Sequence, residues 1–201
     1  MKHPAGPAWR LALLVVRGLM AVFGRQRTVG RDRVPREGGL LILANHLSDC
    51  DPLAVQVACP RPIHFMSKSE LFDIPVLGAI LRFTRAFPVK RGAPDREALK
   101  YAAALLEAGE AVCVFPEGQL SETGTLRPLL PGVGLILRMA PNASVICLGL
   151  RETNRIVPYG SVVPRPSFGP PVVATWGEPK PSMREGLVEW ATDELRRVGA
   201  P

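Results

Sequence analysis

The sequence predicts an α/β domain: a mixed, largely parallel sheet flanked by helices. Three observations lead there. Short apolar runs of strand length recur along the chain with helical stretches between them. Two of those runs, Leu40 to Ala44 and Ala111 to Phe115, break directly into polar, turn-forming residues, as buried strands do where they leave a sheet. The length, 201 residues with no internal repeat and no long linker, suits one domain with a sizeable core.

The elements follow in order. Trp9 to Gly24 is apolar, interrupted by Arg17 and flanked by Lys2, Arg10, Arg25 and Arg27. A spanning helix needs about 20 mostly apolar residues, so this run reads as a helix lying in a membrane interface, with Arg17 snorkelling and Trp9 at the headgroups. An amphipathic helix packed on the domain would give the same pattern. Residues 1–27 are therefore set apart as a membrane-associating helix, and 28–201 as the globular domain. Thr28 to Pro35 is a short polar strand or turn. Leu40 to Ala44 is a buried strand, and Pro52 to Ala58 a helix in which Asp51 is expected to cap and Pro52 to occupy the first position.

Ile63 to Met66 is strand-like. Lys68 to Arg82 holds Pro75 and Gly78 and predicts short broken helices, with side chains suited to a hydrophobic wall or to ordinary core. Phe87 to Arg91 is a strand end delivering two cations to a loop. Asp95 to Ala108 is an alanine-rich helix stopped by Gly109, and Ala111 to Phe115 a second buried strand. Val133 to Ala140 is helical and Val145 to Leu150 a strand. A Pro/Gly-rich segment runs to Pro171, Val172 to Trp176 is a strand, and Arg184 to Val198 a charged terminal helix.

Composition narrows the partners. Lys and Arg number 25 against 18 Asp and Glu, a net charge of +7, while mean hydropathy is slightly positive. That pairing excludes a disordered chain and points to an anionic partner. No Cys/His finger, RNA-binding aromatic motif or basic zipper is present, so nucleic acid is the weakest candidate, behind phosphorylated metabolites and an anionic membrane, and no nucleic-acid partner is expected. Cys50, Cys59, Cys113 and Cys147 form no Cys-x-x-Cys pair, and Cys113 and Cys147 sit inside apolar runs. These features predict a reducing compartment and no metal site.

The chemistry concentrates where the first buried strand ends, in Asn45-His46-Leu47-Ser48-Asp49-Cys50-Asp51. On a continuous helix His46 and Asp51 would lie about 140° apart at about 100° per residue, so His46 belongs on the strand-to-helix turn with Asp51 folding back toward it. A carboxylate beside imidazole fixes its tautomer and suits a general base. A loop His beside a capping Asp is the other reading of this stretch alone. Phe115-Pro116-Glu117-Gly118 follows the second strand. Ligands of open α/β sheets bind beyond the carboxyl ends of strands, so parallel neighbours would turn His46 and Glu117 toward one crevice.

Together these motifs resemble those of the glycerolipid acyltransferase superfamily, which acylates glycerol-phosphate and lysophospholipids. His46 to Asp51 is similar to its His-x4-Asp motif and Phe115 to Gly118 to its Phe-Pro-Glu-Gly signature. Phe87 to Arg91 falls where the family has a strand ending in a substrate-binding Arg. The likeness spans about Val29 to Leu150. It implies that His46 is the general base and that Asp51 orients it. Arg91 would hold an acceptor phosphate, Glu117 and Gly118 would shape the acceptor pocket, and Asn45, Ser48, Phe115, Pro116 and Ser121 would complete the substrate site. The nearby helix N-terminus would offer N–H groups to an oxyanion.

The acyl group would arrive as a thioester on coenzyme A or acyl carrier protein, with no cofactor, metal or acyl-enzyme. The reaction would take place at the cytoplasmic face of the inner membrane. Two departures bear on the acceptor. Gln119-Leu120-Ser121 replaces the Thr-Arg-Ser of many phosphatidic-acid-forming members, and Leu130 stands where they carry a Lys before Gly132. Two phosphate-binding cations are thus missing, with Arg127 a candidate to compensate, and a phosphate monoester normally attracts several. The run from Glu117 to Gly124, with Trp176-Gly177-Glu178-Pro179, looks more like domains acting on lysophosphodiesters such as 2-acylglycerophosphoethanolamine. The alternatives are a thioesterase or lipid hydrolase using the same His–Asp pair, and a non-catalytic lipid-binding domain.

Overall fold

Leu40 to Ala44 forms the middle strand of the sheet with all five residues buried, as an uninterrupted apolar run requires when both faces are covered. The computed structural model describes residues 6–90, 95–161, 163–165, 169–183 and 185–201; Lys2, Arg91 and Arg184 lie outside them. In chain order the elements are α1 (Pro7–Phe23), β1 (Arg27–Val29), β2 (Leu40–Ala44), α2 (Asp51–Ala58), β3 (Ile63–Lys68), α3 (Pro75–Phe83), β4 (Ala86–Val89) and α4 (Arg96–Glu107). They continue with β5 (Ala111–Val114), α5 (Gly132–Met139), β6 (Ser144–Arg151), the single turn α6 (Thr153–Ile156), β7 (Val173–Trp176), β8 (Lys180–Pro181) and α7 (Leu187–Arg197).

The strands order as β1-β7-β6-β2-β5-β3-β4, with β8 beside β6. From β6 to β4 every pairing is parallel. β7 and β8 run antiparallel to β6, and β1 parallel to β7, so the sheet is mixed. The register of β2 on β5, Leu40 opposite Ala111 and Leu43 opposite Val114, brings both strands to the same edge together. The polar turns that follow them therefore emerge side by side.

Alternation sorts the strand residues onto two cores. Leu40, Ile42, Phe65, Cys113 and Ile146 pack with Met20 of α1 and Ala54, Val55 and Ala58 of α2. Leu41, Leu43, Val112, Val114 and Cys147 pack with Ala102 and Leu106 of α4, Ile136 of α5 and Leu195 of α7. Helices thus cover both faces, and burial of each large aliphatic side chain contributes about 1.5–3 kcal/mol.

The segment after Lys68 divides as expected into a 3-10 turn, Ser69–Asp73, and α3, which opens with Pro75. Asp95 caps α4, its carboxylate accepting the Ala98 N–H at 3.1 Å. Thr28 to Pro35 resolves into β1 and a 3-10 turn at Arg31–Arg33. One expectation fails at α2. Asp51 is its first residue rather than its cap, because its carboxylate points back into the preceding loop, and Cys50 takes the cap position with no side-chain bond.

Candidate active site

Asp51 organises the loop after β2. It is fully buried, and its Oδ2 accepts the Leu47 N–H at 2.6 Å and the Ser48 N–H at 2.8 Å while meeting His46 Nδ1 at 2.9 Å. Its Oδ1 is buried without a hydrogen-bond partner among the described residues. With Nδ1 engaged by a carboxylate, the imidazole is held as the tautomer whose Nε2 lone pair is open, and no bond to Nε2 is present among the described residues. Phe115 stacks on the ring, centroids 4.0 Å apart and planes 15° from parallel, which fixes the ring's tilt.

The turn after β5 locks onto the same loop. Glu117 is buried and bridges two segments, Oε1 accepting the His46 N–H at 2.7 Å and Oε2 the Arg127 N–H at 2.8 Å. Burial raises its carboxyl above the usual range, and the two N–H groups partly oppose that rise. The Ser121 N–H donates to His46 O at 2.8 Å, and its hydroxyl to Thr125 O at 2.6 Å. Gly118 has φ +74°, a conformation that L side chains rarely adopt, so the turn needs glycine there.

Asn45 pins the loop to the neighbouring strand: its amide donates to Leu150 O at 2.9 Å and accepts the Leu150 N–H at 2.7 Å. The Ser48 hydroxyl donates to Val157 O at 2.8 Å. Cys50 lies beside the site, where burial pushes its thiol up to about 11 against the lowering bond to Ser48. It stays protonated near neutral pH and is a poor nucleophile.

Two cavities reach His46. One, of about 240 Å³, is lined by Lys90, Leu99, Val114, Phe115, Pro116, Gly118, Leu130, Val133 and Ile136. The other, of about 520 Å³, lies between α1, α2 and α3 and is lined by Leu19, Met20, Phe23, Leu53, Leu71, Leu77 and Leu81, with Asp49 and Lys68. His46 and Met66 line both.

Among the residues expected to bind substrate, Phe115, Pro116 and Gly118 line the smaller cavity. Asn45, Ser48, Glu117 and Ser121 line neither, since their polar atoms are taken up by backbone partners. Arg91 lies outside the described residues. The first N–H groups of α2 do not form an anion site: those of Leu53 and Ala54 donate to Cys50 O and that of Asp51 to Ser48 O. Sequence reasoning missed Met66 as a site residue, although its place near the carboxyl end of a predicted strand was a usable signal.

The structure and sequence resemble known proteins. A family model described as Acyltransferase matches residues 25–161. A 1-acyl-sn-glycerol-3-phosphate acyltransferase of Bacillus subtilis is 31% identical over 122 residues, 60% of this chain and 60% of that protein. One from Streptococcus pneumoniae is 29% identical over 63% of this chain and 48% of its own length. This chain thus spans less than two thirds of these relatives. The crystal structure of the 1-acyl-sn-glycerophosphate acyltransferase PlsC of Thermotoga maritima superimposes with a TM-score of 0.73 at 22% identity, over 94% of this chain and 78% of that one. That likeness is one of fold.

Proposed function

Since the chain belongs to the acyltransferase family, we propose that it moves a fatty acyl group from a thioester of coenzyme A or acyl carrier protein to the hydroxyl of a lysophospholipid or glycerol-phosphate-type acceptor. The observation that carries this reading is the His46 Nδ1–Asp51 Oδ2 pair at 2.9 Å with Nε2 left open where two largely apolar cavities meet.

The acceptor hydroxyl donates to Nε2, and its oxygen attacks the thioester carbonyl as His46 takes the proton. Asp51, buried against Nδ1, stabilises the imidazolium as it forms; a positioned base of this kind contributes about 10²–10⁴-fold. The C–S bond then breaks, and the thiolate leaves with the proton returned from Nε2. No side-chain nucleophile is required, in keeping with the protonated thiol of Cys50. Phe115 holds the ring, and Glu117, Asn45 and Ser121 hold the backbone that carries it.

Among the described residues, few cations stand at the acceptor cavity. Lys90 is the cation among the described residues that line the smaller cavity, and Leu130 presents an apolar surface there. This lining favours a lysophosphodiester over a phosphate monoester near charge −2.

The outer face of α1 supports a membrane site for the reaction. Val16, Met20 and Phe23 face the core, while Leu11, Leu14, Val15 and Val22 are exposed at helical spacing on the opposite side. Trp9 meets Phe83 of α3, rings 6.2 Å apart, and α3 continues the surface with Val76 and Ile80. Arg10, Arg17 and Arg82 supply positive charge beside it, as an anionic bilayer surface at the cytoplasmic face of the inner membrane requires. No described helix is long and apolar enough to cross a membrane. Thiol release measured with a lysolipid panel tests the reading: release should depend on the lysolipid, and release indifferent to every acceptor would refute it.

A further inference from the structure

The cavities described above approach His46 from opposite faces of the sheet. The smaller borders the core of Val114, Val133 and Ile136, and the larger that of Met20, Cys50 and Ile156. They come together past the carboxyl end of β2 and beside the last residues of β3, where His46 and Met66 are the residues lining both.

If acyl transfer occurs here, two hydrocarbon chains must be housed at once, the donor's and the acceptor's, with their reacting ends within reach of one nitrogen. We propose that Met66 is a specificity-determining residue, the partition that keeps these chains in separate cavities and so sets the chain lengths the enzyme accepts. The inference rests on the acyltransferase reading and adds a residue to it.

The backbone under Met66 is fixed. It pairs with Phe87 of β4, while its neighbour Phe65 is paired on both sides, with Ala86 and with Cys113 of β5. A change of side chain therefore alters the wall without moving the strand. The side chain is only partly buried, packs against the second core, and is unbranched, so it can yield to chains of different shape while keeping them apart. Shortening it should join the two cavities. Enlarging it should narrow the passage beside His46.

The test compares wild type, Met66→Ala and Met66→Trp in kcat/KM for saturated acyl-coenzyme A donors of increasing length, each with a short-chain and a long-chain lysophosphatidylethanolamine. In wild type the preferred donor length should not depend on the acceptor. In M66A the two should become interdependent, a long acceptor lowering the rate with a long donor by about tenfold, the scale of a methylene or so of pocket fit. M66W should shorten the preferred chain. Binding of S-hexadecyl-coenzyme A, which cannot transfer its chain, gives a readout apart from turnover: M66W should weaken it and M66A should make it sensitive to added lysolipid. Identical chain profiles and identical binding in all three folded proteins would overturn the role of Met66. Binding that changes as expected with no acylated lipid from wild type would instead refute the transfer reaction and leave the partition standing.

Discussion

The loops around His46 and the outer face of α1 depart from an ordinary globular domain in opposite directions. In the loops polar groups are buried: Asn45, Ser48, Asp51, Glu117 and Ser121 lie under the surface, nearly every polar atom with a partner. On α1 and α3 apolar groups are bare, from Leu11 to Val22 and on to Ile80. Buried polar groups and exposed apolar patches are the informative exceptions to burial rules. The first arrangement holds one nitrogen in a fixed direction, and the second presents a surface that water does not favour. The difference separates what the molecule does from where it does it, and each side can be broken without the other.

The largest effect is expected in the loops. Asp51→Asn keeps the shape of the side chain but not the charge, and should lower turnover on the order of 10²-fold or more while leaving vesicle binding unchanged. Wild-type rates in that variant would remove Asp51 from the mechanism. On the other side, Leu11, Leu14 and Val22 replaced together by Glu should lower partitioning onto anionic vesicles on the order of 100-fold, since an interfacial helix buries each apolar side chain only in part, at about 0.9 kcal/mol apiece against about 1.4 kcal/mol per tenfold. The variant should retain turnover on a detergent-dispersed lysolipid. Unchanged co-sedimentation with vesicles would refute the membrane face.

The smallest effect concerns Glu117. Its carboxyl is raised above its ordinary value near 4.5, so folding favours its protonated form. The stability it contributes is complete below that value and declines as pH rises through the raised one. E117Q has no such titration but loses one of two backbone bonds. Its Tm relative to wild type should therefore be lowest in acid and move in the variant's favour up to pH 7. A gap constant with pH would show that burial does not shift Glu117.

Much of the loop side was legible in the sequence, because a strand, a turn and a helix start are local signals. The run Leu40 to Ala44 announced a strand buried on both faces, and His46 and Asp51 were bracketed by it and by Pro52. That Asp51 folds back to His46 was legible from their spacing; that the same oxygen also takes the Leu47 and Ser48 N–H groups was not, since Asp before Pro reads equally as a cap. Nor was the bond from Asn45 to Leu150, partners 105 positions apart that meet only because β6 lies beside β2. Val173–Trp176 reads as a strand in either direction, so its antiparallel pairing with β6 had no sequence signal. The two-residue β8 was too short to show. The cavities depend on where α1, α3 and α5 settle, so the strand-end position of Met66 was legible but its place between them was not.

The proposed function stands on one step, the deprotonation of an acceptor hydroxyl by His46 Nε2 where the two cavities meet. It is tested most directly by mass-spectrometric identification of the lipids formed from a mixed lysolipid panel with acyl-coenzyme A or acyl carrier protein thioester, using wild type and His46→Ala. Wild type should form acylated lysolipid and an equal amount of free thiol, and H46A on the order of 10²-fold less of both. Free fatty acid in place of acylated lipid, or transfer undiminished in H46A, would contradict it.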